Sequence, residues 1–199
     1  HLMSVMLSAS NCLDWICKIT NTSIDEALKN IENYFSESNL KSSTTYFLPY
    51  LSGERTPHND PHIRGSFHSL KTTTPPVELQ YAVIEGVSFG ILDGINSILK
   101  VNSNFENIFM VGGGSKSKFW NQLISTLLNR TLSICNQSEF GAALGVARLA
   151  MFADSNITDK KNIVKEIKIR EKFNPNVNKS DVLLKRYQHW KNLYLENKK

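Results

Sequence analysis

The sequence lacks long apolar runs and any recognisable leader. Its most nearly apolar stretch, residues 141–153, is interrupted by Arg148, whereas a membrane-spanning helix needs about 20 consecutive apolar residues. The apolar start, residues 2–7, is short and has neither a basic region before it nor a small-residue cleavage site after it, so it does not fit a signal peptide. We therefore expect no membrane partner for this chain.

Cysteine is scarce as well. Cys12, Cys17 and Cys135 are an odd number and form no CxxC pair, which excludes a disulfide framework and a cysteine-based zinc site. All three lie in apolar stretches, so we expect buried, reduced thiols in a cytoplasmic protein. The overall composition, with 41% hydrophobic and 21% charged residues in 199, is instead typical of a folded globular domain.

Charge of one sign is in modest excess, since the formal net charge is +5, and much of it lies in residues 160–199. A basic tail can bind nucleic acid. However, no aromatic or arginine-rich array accompanies it, so we favour a solvent-exposed helical surface and expect no nucleic-acid partner. A DNA binder with steep salt dependence is the alternative.

Hydrophobic spacing predicts alternating helices and strands, and therefore an α/β fold. We expect a strand at residues 2–7, with a helix as the alternative, and strands at residues 46–48, 107–111 and 131–135. Helices are expected to begin near Ser8 or Ser10, Ser23, Thr74, Ser117, Glu139 and Asp181. Residues 36–45 and 49–65 read as loops, the second ordered by its apolar side chains.

Three consecutive glycines follow the strand that ends at Val111. Gly112, Gly113 and Gly114 carry no Cβ, so a ligand can approach the main chain there. The helix that follows would direct free N–H groups at a phosphate or nucleoside. A tight turn that needs positive φ is the alternative. The segment is not a P-loop, because no Gly-Lys-Ser/Thr follows it, and it does not match the GxGxxG fingerprint either.

Two other segments carry weaker signals. Small residues at 140–145 open a helix, and their spacing favours helix packing over nucleotide contact. The second is a proline-bounded loop with the residues Gly53, Glu54, Arg55, Thr56 and Pro57. Its charged residues either form a pre-organised site or only stabilise the loop through a salt bridge between Glu54 and Arg55. His58, Asp60 and His62 lack the supporting residues of a metal site, so we expect no metal there. No catalytic triad, carboxylate dyad or Cys/His pair is recognisable, so we expect no catalytic residue in this chain.

Together these segments resemble the FGGY family of carbohydrate kinases. The resemblance is carried by YFLPYLSGERTPHNDP at residues 46–61, VGGGSKSKFWNQ at 111–122 and EFGAALGVARLA at 139–150, and it extends over residues 1–153. The first of these segments is most similar to the members that phosphorylate D-xylulose at O5. One departure occurs in the family's second motif, where Ser69 stands in place of a glycine.

The resemblance implies an actin-like ATPase, or ribonuclease H-like, domain that binds ATP with Mg²⁺, while the sugar binds mainly to an N-terminal kinase domain. The implied nucleotide-binding residues are Gly112, Gly113, Gly114, Ser115, Ser117, Trp120 and Asn121. Residues 53–57 would form an interdomain loop. The family's general base, an Asp, and its phosphate loop would both precede His1. We therefore expect a domain that is incomplete at its N-terminus and has no kinase activity by itself.

This interpretation divides the chain into an ATP-binding domain, residues 1–154, and a basic, largely helical arm, residues 155–199, that docks on the domain or on a partner. Open sheet edges predict aggregation or a homodimer. Two alternatives stay open. The parent could act on glycerol, gluconate or ribulose, or the chain could be a non-catalytic nucleotide-binding module.

Overall fold

The computed structural model describes residues 1–35, 42–101, 105, 107–154 and 168–197. Its helices are α1 (Ser10–Ile19), α2 (Ile24–Tyr34), α3 (Pro76–Leu99), α4 (Lys118–Leu128), α5 (Gly141–Asp154) and α6 (Val177–Asn197). Its strands are β1 (Tyr46–Leu48), β2 (Ser66–His68), β3 (Ile108–Met110), β4 (Leu132–Cys135) and β5 (Ile169–Phe173). Short 3₁₀ turns occupy Gly113–Lys116 and Ser138–Phe140. The predicted mixture of helices and strands is confirmed.

Helix α3 forms the centre of the core. It is buried without interruption from Gln80 to Gly90, and α1, α2, α4 and β1 all pack on it. Its length and composition alone would allow it to cross a membrane. The search of the sequence for long apolar runs did not identify this helix as a candidate. In its most apolar stretch of 18 residues, 67% of the residues are buried inside the fold, so the apolar surface of the helix packs in the protein core.

The strands form two small sheets, of which β1–β2 packs on α3 through β1, and β3–β4–β5 packs on α4 through β4 and β5. Strands β1 and β2 pair antiparallel, with Phe47 opposite Phe67. Strand β3 runs parallel to β4, with Met110 opposite Ile134, and β5 adds antiparallel to β4. Neither β2 nor β5 was expected from the sequence, because both are short and carry polar or charged residues at most positions.

The N-terminal segment corrects two expectations. Residues 2–7 form neither strand nor helix. They run along the loop at 53–57 instead, where the N–H of Thr56 donates to the carbonyl of Val5 at 2.9 Å. Helix α1 begins at Ser10, where a start was expected, but neither Ser8 nor Ser10 caps it, because the N-cap position is Ala9 and gives no side-chain cap. The cap of α2 is confirmed, because Ser23 Oγ accepts from the N–H of Glu26 at 3.2 Å.

Helix α6 docks on the domain itself. Leu183, Tyr187, Trp190 and Tyr194 are buried, and the Trp190 indole N–H donates to the carbonyl of Phe47 at 2.8 Å. The helix begins at Val177, one turn earlier than predicted. These contacts settle where the apolar stripe of the arm packs, while the division of the chain at residue 154 stays a prediction.

A buried ion pair fixes α6 against α3. Arg186 and Glu85 are only 6% and 1% exposed, and the guanidinium contacts both carboxylate oxygens, at 2.6 and 2.7 Å. The same guanidinium donates to the carbonyl of Thr45 at 3.2 Å and lies 4.4 Å from the centre of the Tyr46 ring. Burial alone would lower the pKa of Arg186, but the carboxylate beside it raises that pKa above its usual value.

The loop at 49–65 is ordered by buried Tyr50 and Ile63, and the Thr56–Pro57 peptide is cis. Residues 36–41 of the other predicted loop lie outside the described residues. Ser69, the departure from the family pattern, has φ +60°. A glycine adopts this left-handed conformation without strain, so the family's preference for glycine at this position has a structural reason.

The cysteines partly match expectation. Cys12 and Cys17 are buried and free, and burial raises the pKa of Cys12 to about 12, which keeps the thiol protonated. Cys135 is only partly buried, because it lies at the end of β4 where the pairing with β5 shifts register.

Candidate functional site

The candidate site is built on the turn that follows β3. Gly112 has φ +86°, so this position requires glycine on conformational grounds, as the tight-turn interpretation predicted. Gly113 is not in the left-handed region. A Cβ built on either glycine would have no heavy atom within 4 Å, so the space above both residues is open. Gly113 therefore keeps its main chain accessible without any conformational need, which favours the ligand-binding interpretation.

A cavity of about 670 Å³ lies against this turn, a size suited to a small-molecule ligand. The glycine turn and α4 form one wall, and the N-terminal ends of α1 and α2 form the other. Its lining residues are Ser10, Asn11, Leu13, Asp14, Ser23, Ile24, Asp25, Leu28, Gly113, Gly114, Lys116, Ser117 and Trp120.

Trp120 is held rigidly at the cavity wall. Its main-chain N–H donates to Ser117 Oγ at 3.2 Å, which caps α4. Its indole N–H donates to Ser88 Oγ on α3 at 2.9 Å. Because the main chain and the indole ring are both held, the small part of the ring that lines the cavity needs no further ordering on binding.

Ser115 and Asn121 lie behind the turn rather than in the cavity. Ser115 Oγ donates to the carbonyl of Gly112 at 2.7 Å and lies 3.0 Å from Ser138 Oγ. The Asn121 side-chain amide donates to the carbonyl of Ser115 at 2.9 Å. Both residues are buried, so they brace the turn from within.

Four of the seven predicted nucleotide-binding residues therefore line the cavity, namely Gly113, Gly114, Ser117 and Trp120. The other three shape the turn. Direct contact of any of them with a nucleotide stays a prediction.

The opposite wall was missed by sequence reasoning. Ser10, Asn11 and Asp14 on α1, with Ser23 and Asp25 at the start of α2, bring hydroxyl, amide and carboxylate groups to the cavity. They lie some ninety residues before the glycine turn. The helix start at Ser23 was recognisable, but no local pattern connected it with the glycines.

The loop at 53–57 does not line this cavity. Glu54 is buried, and its Oε1 accepts from the main-chain N–H groups of Leu7, at 3.1 Å, and Arg55, at 2.7 Å. Burial raises the pKa of Glu54. Within the described part of the chain, Glu54 and Arg55 are linked by this main-chain bond and not by an ion pair. The loop therefore anchors the N-terminal segment, and its interdomain role stays a prediction.

Three further predictions concern His58, a metal site and residues 140–145. His58 is hydrogen-bonded to the Tyr50 hydroxyl at 3.0 Å and stacks on Tyr194. The described residues contain no group of three His, Cys, Asp or Glu side chains that could hold a metal. A Cβ on Gly141 would lie 3.3 Å from the Val111 side chain, but one on Gly145 would meet nothing within 4 Å, so the helix-packing interpretation of residues 140–145 stays a prediction.

The α/β domain therefore carries a cavity beside its glycine turn, of a size suited to a small-molecule ligand. The sequence model of the FGGY family of carbohydrate kinases, C-terminal domain, matches residues 1–153, and the chain belongs to this family. The resemblance found in the sequence is thereby confirmed.

Individual relatives agree with this assignment. The chain is 34% identical to the xylulose kinase of Escherichia coli K12 over 98% of its length and 38% identical to that of Klebsiella pneumoniae over 88%. It spans only 40% and 35% of those two proteins. A crystal structure of a xyloylose kinase from Brucella ovis superposes with a TM-score of 0.83 at 33% identity, covering 98% of this chain and 39% of that one. The predicted actin-like fold class is confirmed by this similarity.

Proposed function

We propose that this chain is the ATP-binding part of a cytoplasmic xylulose kinase, which transfers the terminal phosphoryl group of MgATP to D-xylulose and forms D-xylulose 5-phosphate. The observation that carries the nucleotide-binding role is the 670 Å³ cavity above the open main chain of Gly113. The preference for xylulose is supported by the relatives named above, all of them called xylulose or xyloylose kinases.

The residues fit a nucleoside in three respects. Gly113 leaves room for a flat group to lie on bare main chain, and the fixed ring of Trp120 supplies an apolar surface beside it. Leu13, Ile24 and Leu28 add aliphatic contacts. The hydroxyl and carboxylate groups of α1 and α2 supply hydrogen-bond acceptors for an amino group or for ribose hydroxyls.

We place Mg²⁺ on the phosphates of ATP, because Mg²⁺ commonly binds proteins through one or two carboxylates together with substrate phosphates. Phosphoryl transfer depends on positioning the two substrates in line and on neutralising charge. In our proposal the sugar site, the general base and the phosphate loop belong to an N-terminal kinase domain of the same parent. The chain alone should therefore bind nucleotide without turning it over.

Calorimetric titration with ADP tests the nucleotide site. Gly113→Arg should abolish binding, because the new side chain would fill the open space above the turn. Gly145→Arg is the matched control, since a Cβ there also has nothing within 4 Å but Gly145 does not line the cavity. If the unaltered chain binds neither ADP nor ATP, the proposal is wrong.

A coupled assay with MgATP tests the reaction. The chain alone should show no turnover with D-xylulose, and co-expression with an N-terminal kinase domain should produce activity. Turnover by the chain alone would contradict the division of roles. A parent that prefers glycerol, gluconate or ribulose would overturn the substrate, and one that binds ATP without phosphorylating any sugar would indicate a non-catalytic module.

A further inference from the structure

We propose that one face of the domain, formed by β3 and α5, is the surface on which the N-terminal kinase domain of the parent docks. This β3–α5 face is defined by its exposed apolar side chains, namely Phe109, Val111, Phe140, Val146, Leu149 and Met151. The inference rests on the proposed function only for the identity of the partner. The need for a partner follows from the structure of the face itself.

Helix α5 is apolar on all sides but does not pack in the core. Arg148 is the one charged residue among residues 141–153, and not one of those residues is buried. Of the described elements, only the short 3₁₀ turn that leads into α5 packs extensively on it. A helix that is hydrophobic all round is normally a buried helix. Val146 and Leu149, which are 66% and 67% exposed, therefore lack the neighbours that such a helix requires.

The two edges of the three-stranded sheet are built differently. Strand β5 forms one edge and carries Arg170, Glu171 and Lys172, and charged residues protect an edge against further pairing. Among the described strands β3 forms the other edge, and its residues Ile108–Met110 include neither a charged residue nor a proline. The main-chain N–H and C=O groups on its free side can therefore pair with a further strand. This contrast indicates that β3 is the edge made for pairing.

The strand edge and the helix form one continuous apolar surface. Phe109 and Val111 are exposed and alternate with the partly buried Ile108 and Met110, so both point to the same side of the sheet. A Cβ on Gly141, the first residue of α5, would lie 3.3 Å from the Val111 side chain. The exposed side of β3 therefore continues into α5. Large contiguous apolar patches of this kind mark protein interaction sites.

The N-terminal kinase domain fits this face better than a second copy of the chain does. The chain spans only 40% and 35% of two curated relatives and matches the C-terminal domain of the family, so most of such a kinase is available to cover the face. Val111 directly precedes Gly112, so a partner docked here lies next to the glycine turn. Phosphoryl transfer needs the sugar site close to the nucleotide. A second copy would not supply that site, because it has the same residues as the first.

Amide hydrogen exchange, measured by mass spectrometry on this chain and on the full-length parent kinase, tests the face. In the parent, the amides of residues 108–111 and 141–153 should exchange at least about tenfold more slowly than in the chain alone, because docking buries them. The amides of β4 are the internal reference, since β4 is already paired on both sides in the chain alone.

Leu149→Glu tests the contribution of α5. In the chain alone it should leave the urea midpoint unchanged, because the side chain is exposed there. In the parent it should raise the exchange rate of residues 108–111 and 141–153 at least about tenfold, since docking would bury an unpaired carboxylate. Val177→Glu is the matched control, because Val177 is 77% exposed at the start of α6, and it should change neither measurement.

Four outcomes are distinguishable. Equal exchange of the face in both proteins would mean that nothing docks there and would overturn the inference. Slow exchange in the chain alone, with a dimer in sedimentation, would assign the face to a second copy and would also overturn it. Unchanged exchange in the Leu149→Glu parent would exclude α5 from the interface, so the proposed face would be wrong. Protection of the face in a parent that binds no ATP would support the docking surface and refute the proposed function.

Discussion

The buried pair of Arg186 and Glu85 offers the sharpest test of how the C-terminal helix is held. Replacing Arg186 with Met preserves much of the side-chain volume and removes the charge. It leaves the Glu85 carboxylate buried, with the Tyr81 hydroxyl at 3.1 Å as its described hydrogen-bond donor. The carbonyls of Ser43 and Thr45 also lose a donor.

The loss should be large. Removing one partner of a buried ion pair costs about 3–5 kcal/mol, because the remaining charge is neither hydrated nor compensated. That is a substantial share of the roughly 5–15 kcal/mol by which a domain is usually stable. Adding Glu85→Gln removes the stranded charge, so the double variant should be more stable than Arg186→Met alone.

Urea denaturation followed by tryptophan fluorescence gives the free energies of unfolding, and Trp190, one turn beyond Arg186 on α6, reports directly on this helix. Lys185→Met on the same helix is the control, since Lys185 is exposed and should cost little. Arg186→Lys keeps the charge without the two-pronged contact and should fall between the two.

Two results would refute this reasoning. One is a loss below about 1 kcal/mol for Arg186→Met, which would place the pair among weakly contributing surface pairs. The other is strict additivity in the double variant, because residues in direct contact should show coupling.

Denaturation also tests three single substitutions. Glu54→Gln keeps an oxygen acceptor for the N–H groups of Leu7 and Arg55. Because burial raises the pKa of Glu54, the unaltered protein should lose stability as pH rises through that pKa. The urea midpoint of the variant should therefore increase relative to that of the unaltered protein between about pH 4.5 and about pH 7.5. Gly86→Ala should lower the free energy of unfolding by about 3 kcal/mol or more, because a Cβ would lie 2.2 Å from the Phe47 carbonyl oxygen. Gly90→Ala is the control, since the atom nearest to its Cβ would be 3.6 Å away. In thermal denaturation it should leave stability unchanged or raise it by about 0.5–1 kcal/mol. Ser69→Gly should gain about 0.5 kcal/mol by relieving φ +60°.

Each of these has a contrary outcome. A pH-independent difference for Glu54→Gln would mean that the carboxyl does not titrate abnormally in the fold. Equal effects of Gly86→Ala and Gly90→Ala would mean that α3 and β1 do not pack as closely as described. A loss of stability in Ser69→Gly would mean that the turn imposes no strain.

The helices and the central strands were predictable because their apolar residues recur at regular spacing. Strands β2 and β5 were not. Strand β5 is an edge strand, in which Lys172 pairs with Ser133 and Glu171 with Ile134. Edge strands tolerate charged residues, and these give no hydrophobic pattern in the sequence. The cap at Ala9 was missed because it lacks a capping side chain altogether.

At the candidate site, the sequence indicated the wall whose chemistry is local. Bare main chain at Gly113 follows directly from three adjacent glycines after a strand. The other wall depends on how α1 and α2 pack on α3, so Asp14 and Asp25 could be placed only from tertiary structure. Ser115 and Asn121 were in the correct segment, but their hydrogen bonds direct them inward.

The contacts of helix α6 with the first half of the chain have a consequence for biosynthesis. Arg186 reaches partners 101 and 143 residues back, and Trp190 reaches one 143 residues back. Contacts of such long sequence separation form late and slow folding. Most of the polypeptide must therefore leave the ribosome before α6 can pack on α3 and complete the core. Until then the apolar surface of α3 that α6 covers is exposed to chaperones and proteases.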